Sequence, residues 1–281
     1  MQNSGRFDIS LMCRCLGVSH SGFYKHFSYA SSRKKHKQLV CNAILKSWRD
    51  SHYRYGAPRI TEDLHEEGIM VAQSAVSRYM SQLGIRCASA KKPLRKSPKL
   101  TSSSHPYIIN RVRDIAPEHL NQIWTTDITY IATRRGWAYL STIIDLYSRM
   151  PIAMCIRYSM KADLVIDTCL QAVKARGISR GVILHSDKGS QYRSSRFRSL
   201  LRRYGTIQSF ITSISHSCDE NAVQESFHAT LKKELVNGRV YEDIEEAQRD
   251  IFAYLQGFFI HKRRHSALGG LTPFEFEAKV N

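Results

Sequence analysis

Apolar residues recur along this chain with two different periods. Up to about residue 85 they fall at helical spacing. Between 122 and 158 they alternate with polar residues or run continuously, as strands do, and beyond 160 the two patterns interleave. Residues 8–27 predict two short helices around Gly17, with Leu11, Cys15 and Leu16 on an apolar face and Ser19 or Ser21 placed to cap the second. A long helix is predicted from Arg33 to His52 and another from Pro58 to Glu67, broken at Gly68. A further helix runs from Gln73 to Leu83, capped near Ser74. On it Val76, Tyr79, Met80 and Leu83 form the packing face, while Ser74, Ser77, Arg78 and Gln82 form a polar face suited to a DNA groove. Helix, glycine turn, helix is the outline of a helix-turn-helix. A plain helical hairpin, or an oligomerisation module with a solvated basic face, has the same outline.

Residues 86–106 carry three prolines, many Ser and Thr, six basic residues including Lys91 and Lys92, and no acid, which is the composition of a linker. Strands follow at 122–132, 137–149 and 151–158, joined by short turns as an antiparallel meander. A helix stopped by Gly177 leads to an apolar strand at 181–187, of the kind buried inside a mixed sheet. A helix at 195–205, a strand at 206–211 and a long helix at 219–236 complete the pattern. The order β-β-β-α-β-α-β-α predicts an α/β core with a mixed five-stranded sheet and flanking helices, behind an all-α region. The expected boundaries are 1–85 for helix-turn-helix segments, 86–117 for a basic linker, 118–237 for the core and 238–281 for a C-terminal helix and tail.

Composition narrows the partners. Lys and Arg number 42 against 24 Asp and Glu, a formal net charge of +18, and the first 114 residues hold 20 basic against 7 acidic. Such an excess favours a polyanion, because each neutralised phosphate releases counterions. The seven cysteines, at 13, 15, 41, 87, 155, 169 and 218, show no paired CxxC spacing, so neither a disulfide framework nor a zinc finger is expected. No run of about 18 apolar residues exists to span a membrane, and MQNSGRFDIS lacks a signal-peptide pattern, so a cytosolic protein is expected.

Three carboxylates carry the candidate chemistry. Asp127 interrupts an otherwise β-rich strand, where Asp is disfavoured and asks for a reason. Asp187 ends the fourth strand. Glu225 lies on the late helix, where Asn221, Glu225, His228 and Lys232 share a face by i, i+4, i+7, i+11 spacing. An Asp on the first strand, an Asp after the fourth and a Glu on a following helix are what an RNase H-like nucleotidyltransferase core requires. Asp145 reads as structural. His185 with Ser186 and Ser190 suggests a serine hydrolase only until the lack of a Gly-x-Ser-x-Gly elbow is noted. KRRH at 262–265, with Arg263 and Arg264, follows an amphipathic helix and offers contacts to DNA, with a surface helix end as the alternative.

WTTDITYI, GWAYLSTIIDLYSR, HSDKGSQY, ENAVQESFHATLKKEL and RRHSALGGLTPFEFE, in this order, closely resemble the integrase-core transposases of the IS3 class of bacterial insertion sequences. The resemblance covers nearly the whole chain. It implies a DDE triad of Asp127, Asp187 and Glu225 binding Mg²⁺ or Mn²⁺, two ions in all, for DNA strand cleavage and transfer. Hard carboxylate oxygens suit such ions. It also implies double-stranded DNA as partner, with Lys232 or Lys233 near phosphate, a homo-multimer on paired ends, and an upstream-frame helix-turn-helix protein as a frameshift partner. The chain departs from the family pattern in three ways. Cys218-Asp219-Glu220-Asn221-Ala222 stands where the family has Cys-Trp-Asp-Asn-Ala, Asp187 and Glu225 are two residues further apart, and Phe259-Ile260 replaces Tyr-Asn. The alternative reading is a catalytically degenerate DNA-binding protein or regulator.

Overall fold

The structure, a computed structural model, describes residues 8–87, 109–112, 115–211 and 221–280, the side chains of 26–32 excepted. The chain divides into two compact units, Met1–Ala90 and Lys91–Asn281. In the first, α1 (Ile9–Cys15) leads through Gly17 (φ +65°) into α2 (His20–Asp50), where Ser19 Oγ accepts from the Gly22 N–H at 3.0 Å. The two helices expected at either side of residue 30 are therefore one helix of 31 residues. Between Gly22 and Gly56 there is no glycine or proline to interrupt it. It ends where His52 and Tyr53 enter the left-handed region.

α3 (Ala57–Glu66) and α4 (Gln73–Gln82) follow on either side of Gly68. Ala72, with no side-chain cap, occupies the α4 N-cap, so Ser74 lies inside the first turn rather than capping it. Val40 and Ile44 of α2, Ile60 and Leu64 of α3, and Val76 and Met80 of α4 are buried. The i, i+4 spacing of each pair puts one apolar stripe on each helix. Ser47 Oγ donates to Asp63 Oδ2 at 2.6 Å, tying α2 to α3.

The second unit is built on a five-stranded sheet of order β3-β2-β1-β4-β5. β1 (Ile123–Thr133), β2 (Gly136–Asp145) and β3 (Pro151–Arg157) form the antiparallel meander; β4 (Ile183–Ser186) joins β1 in parallel and β5 (Ile207–Phe210) joins β4 in parallel. The helices are α5 (Ala162–Arg176), the short α6 (Ser190–Arg193), α7 (Ser195–Tyr204), α8 (Ala222–Leu231), α9 (Ile244–Tyr254) and α10 (Pro273–Val280). Even-numbered β1 side chains such as Trp124 and Ile128 pack with Val165 and Cys169 of α5 and Phe197 and Leu201 of α7. α8 and α9 pack on the strands as well, α8 on the odd-numbered side. This is the RNase H-like mixed sheet with flanking helices.

The tail is more ordered than its sequence suggests. After α9 a π-helical turn (Leu255–Phe259) and a 3₁₀ turn (Ser266–Leu268) lead to α10, which the sequence pattern does not predict. Glu277 of α10 pairs with Arg176 at the end of α5 and accepts from Ser148 Oγ at 2.6 Å, so α10 is anchored beside the β2–β3 turn.

Candidate active site

Sheet register sets the first two carboxylates. In the parallel β1–β4 pair Trp124 lies opposite Leu184 and Thr125 opposite His185. Two residues further along each chain, Asp127 and Asp187 stand abreast on the same side, because strand side chains alternate with period two. Asp187 follows the last β4 residue, and its Oδ1 accepts the Gly189 N–H at 2.9 Å. Burial pushes the Asp187 carboxyl up, the negative charge of Asp127 pushes it further, and the Gly189 N–H works in the opposite direction. The glycine is needed for space: a Cβ there would stand 2.9 Å from Asp187 Oδ1 and 2.5 Å from Gln191 Nε2.

α8 lies over this pair, held by a buried polar network. Gln224 is fully buried; its Nε2 donates to the carbonyls of Thr125 (2.7 Å) and Thr142 (3.3 Å), and its Oε1 accepts from Thr142 Oγ1 at 3.1 Å. Thr142 is the cross-strand partner of Asp127. His228, also buried, places Nε2 3.0 Å from Thr142 Oγ1 and Nδ1 3.4 Å from Asp127 Oδ2. The helix then widens into a π-helical turn, Lys232–Val236, a distortion frequent at functional sites. Burial lowers the ammonium pKa of half-buried Lys232, while the Asp127 charge opposes that shift. Behind the sheet, Tyr192 of α6 is buried with its hydroxyl 3.2 Å from Thr126 Oγ1, and its pKa is raised by burial and by both aspartates.

The structure thus brings together Asp127, Asp187, His228 and Lys232. Glu225 is exposed on α8, one residue after Gln224 and three before His228. Among the described residues, no three His, Cys, Asp or Glu side chains form a group that would hold a metal ion. The Asp127–Asp187 pair by itself fits a hard divalent cation. Both donors are carboxylates, and the mutual repulsion that lifts Asp187 is what a cation would relieve.

The other candidates are spread more widely. Ser74, Ser77 and Arg78 are exposed on α4, as a groove-facing role needs, and Val76 and Met80 face inward. Lys91, Lys92, His216, Asp219 and Glu220 lie outside the described residues. Asn221 is half-buried at the α8 N-cap position, and Lys233 is exposed. Arg263 is a correction to the expected DNA contact. It is buried, and its Nε lies 3.2 and 3.3 Å from the two carboxylate oxygens of Glu234, so its guanidinium is engaged inside the protein. Half-buried Arg264 donates to the Gly270 carbonyl at 3.3 Å. Asp145 is structural: fully buried, it accepts the N–H groups of Asn121, Tyr147 and Ser148. His185 Nδ1 is 2.9 Å from Ser209 Oγ, Ser186 Oγ donates to the Asp187 carbonyl, and exposed Ser190 makes no serine-nucleophile arrangement with them.

Thr142, Gln224 and Tyr192 lie inside the motifs GWAYLSTIIDLYSR, ENAVQESFHATLKKEL and HSDKGSQY, but are not singled out there as site residues. One signal existed for Thr142: the turn at Arg134–Arg135 pairs Thr133 with Gly136, and counting back along that hairpin puts Thr142 opposite Asp127.

Comparison with known proteins fits this arrangement. Residues 117–216 and 207–273 match models of an integrase core domain, and residues 35–93 match an HTH-like domain. The chain is 33% identical to the transposase InsF for insertion sequence IS3A of Escherichia coli K12, over 99% of this chain and 96% of the relative. It is 36% identical to the transposase for insertion sequence element IS904 of Lactococcus lactis, over 88% of this chain and 96% of the relative. Among solved structures it is similar to the HTLV-2 integrase catalytic core domain in complex with magnesium, with 14% identity and a TM-score of 0.40 over 56% of this chain and 95% of that one. With an HTH-like domain ahead of an integrase core, and 33% identity along nearly its whole length, this chain belongs to the IS3 family of insertion-sequence transposases.

Proposed function

We propose that the chain binds the ends of its insertion sequence and performs divalent-metal-dependent cleavage and strand transfer on double-stranded DNA. The observation that carries the reading is the placement of Asp127 abreast of Asp187, close enough for one charge to raise the other's pKa, with Lys232 beside them. Asp127, Asp187 and Glu225 would hold Mg²⁺ or Mn²⁺, two ions in all. When bound, these ions supply Lewis-acid stabilisation and activate the attacking oxygen. In the reaction a water or DNA 3′-hydroxyl oxygen bonds to phosphorus and gives up its proton to solvent, the opposite P–O bond breaks, and the leaving oxygen takes up a proton from solvent.

The chain's own groups do the rest. Lys232, half-buried near Asp127, would contact a phosphate oxygen of the scissile strand, and exposed Lys233 the flanking backbone. Ser74, Ser77 and Arg78 would meet base edges or phosphates of the terminal repeat, and Lys91 and Lys92 of the linker would run along the duplex. The expected assembly is a homo-multimer on paired ends, with an upstream-frame helix-turn-helix protein as a partner. Incubating purified protein with labelled terminal DNA and Mg²⁺ tests this. The expected outcome is cleaved and joined products that vanish with chelator and in Asp127→Asn, Asp187→Asn and Glu225→Gln. DNA binding with neither product overturns the enzymatic reading in favour of a DNA-binding regulator. Products that persist in Glu225→Gln remove that residue from the metal site.

A further inference from the structure

We propose that Thr142, Gln224 and His228 are positioning residues: a hydrogen-bonded clamp that seats the helix carrying Glu225 on the strands and holds the His228 ring against the Asp127 carboxylate. The inference rests on the metal-dependent reading of Asp127 and Asp187.

A fully buried primary amide is a costly choice for simple packing, since a polar group leaves water only at the cost of finding partners inside. Gln224 finds all of them on the two strands that flank the site. Its NH₂ group bonds the Thr125 and Thr142 carbonyls, which leaves Oε1 facing the Thr142 hydroxyl. Two carbonyl acceptors on one side settle which end of the amide is which.

The hydrogen count then runs outward. The single hydroxyl hydrogen of Thr142 goes to Gln224 Oε1, so Thr142 Oγ1 has only lone pairs left for His228. Nε2 of His228 therefore carries the hydrogen of their 3.0 Å contact. With Nε2 committed, the ring is held from behind and its Nδ1 edge stands 3.4 Å from Asp127 Oδ2, where it limits by contact, not by a hydrogen bond, how far that carboxylate can turn. The side chains form one line from the backbone of β1 and β2, through Gln224, Thr142 and His228, to the carboxylate. Because Gln224 and His228 both belong to α8, the same contacts resist rotation of that helix, and Glu225 lies between them.

Thr142→Val removes the hydroxyl and keeps the branched shape. Partners that orient a metal ligand from behind typically contribute about 10–100-fold in metal affinity or activity. Expected for Thr142→Val, and for His228→Phe, are an unchanged circular dichroism spectrum and unchanged KM for terminal DNA. In both, kcat for joining falls by about 10–100-fold, and Mn²⁺ affinity of the DNA-free protein, measured by calorimetry, falls comparably. Thr142→Ser restores both. Wild-type kcat and Mn²⁺ affinity in Thr142→Val overturn the clamp, as does equal impairment of the Ser and Val variants. If Thr142→Val does not fold, His228→Phe decides by the same readings. A wild-type chain that joins no DNA overturns the proposed function instead; the clamp is then judged on Mn²⁺ affinity alone.

Discussion

Arg263→Met removes the cation of a buried ion pair while keeping most of the side chain's length. In the native protein the Arg263 Nε lies 3.2 and 3.3 Å from Glu234 Oε1 and Oε2, and Tyr254 donates its hydroxyl to Oε2 at 2.8 Å. The two charged side chains are only 9% and 4% exposed. Breaking such a pair from one side strands a buried charge and costs about 3–5 kcal/mol. Replacing both, Arg263→Met with Glu234→Met, leaves the buried Tyr254 hydroxyl to re-pair, at about 1–3 kcal/mol, while half-buried Thr230 and His265, each 3.5 Å from the guanidinium, can turn to water. Well-packed apolar replacements of buried pairs often recover about 1–4 kcal/mol, so the double variant is expected near wild-type stability. The surface pair Arg239–Asp250 is shorter, at 2.6 Å, but 53% and 30% exposed, and breaking it is expected to cost about 0.2–1 kcal/mol. Burial, not distance, decides the ranking. Urea titration with linear extrapolation measures each difference, followed by hydrogen exchange of the sheet so that unfolding of the N-terminal unit does not blur it. A DNA titration against salt completes the test. Arg263→Met should keep the wild-type salt slope, whereas Arg78→Ala, on the exposed face of α4, should lower it by about 0.9. If Arg263→Met loses less than about 1 kcal/mol of stability and flattens the salt slope, the guanidinium serves DNA and the reasoning fails.

Three further outcomes are expected. Gly189→Ala should leave the fold intact but displace the Asp187 carboxylate, because its new Cβ would lie 2.9 Å from Oδ1; Mn²⁺ binding measured by calorimetry should weaken by about 10-fold or more. Asp145→Ala strands the N–H groups of Asn121, Tyr147 and Ser148 and should cost at least about 3 kcal/mol by urea titration. Burial raises the Asp145 carboxyl above its ordinary value, so the folded state holds that proton more tightly. The deficit of the variant should therefore be smallest at neutral pH and widen as pH falls through the raised value; a constant deficit refutes the assignment. Burial pushes the Cys169 thiol up to about 12, so at pH 8 a disulfide reagent should label exposed Cys15 promptly and Cys169 only in denaturant.

The sheet was legible because its information is local. A β-branched run, a two-residue turn and a second run define the β1–β2 hairpin, and Gly177 and Gly205, both in the left-handed region, end α5 and α7 where their sequence says they should. Asp127 was legible for the opposite reason: an Asp in such a strand contradicts its surroundings. Misreadings arose where a distant partner decides. KRRH looks like a solvated basic end, yet Glu234, 29 residues earlier, takes Arg263 inside. LTPFEFE looks like tail, yet Arg176 and Ser148 hold Glu277 and with it a helix. The split of α2 has a different cause, since a charged run does not break a helix whose stretch after Gly22 in the first turn contains neither glycine nor proline.

The same distinction divides the candidate site. Asp127 and Asp187 each lie two residues past the Thr125–His185 pair, so the β1–β4 register carries both to the same end of the sheet. Glu225 is placed by a helix, and Gln224 and His228 tie that helix to the strands. Drawing a third carboxylate against the pair would add to a repulsion that already raises Asp187. On the proposed reading the two aspartates would mark the place where metal binds, and where Glu225 stands relative to them follows from how α8 is held.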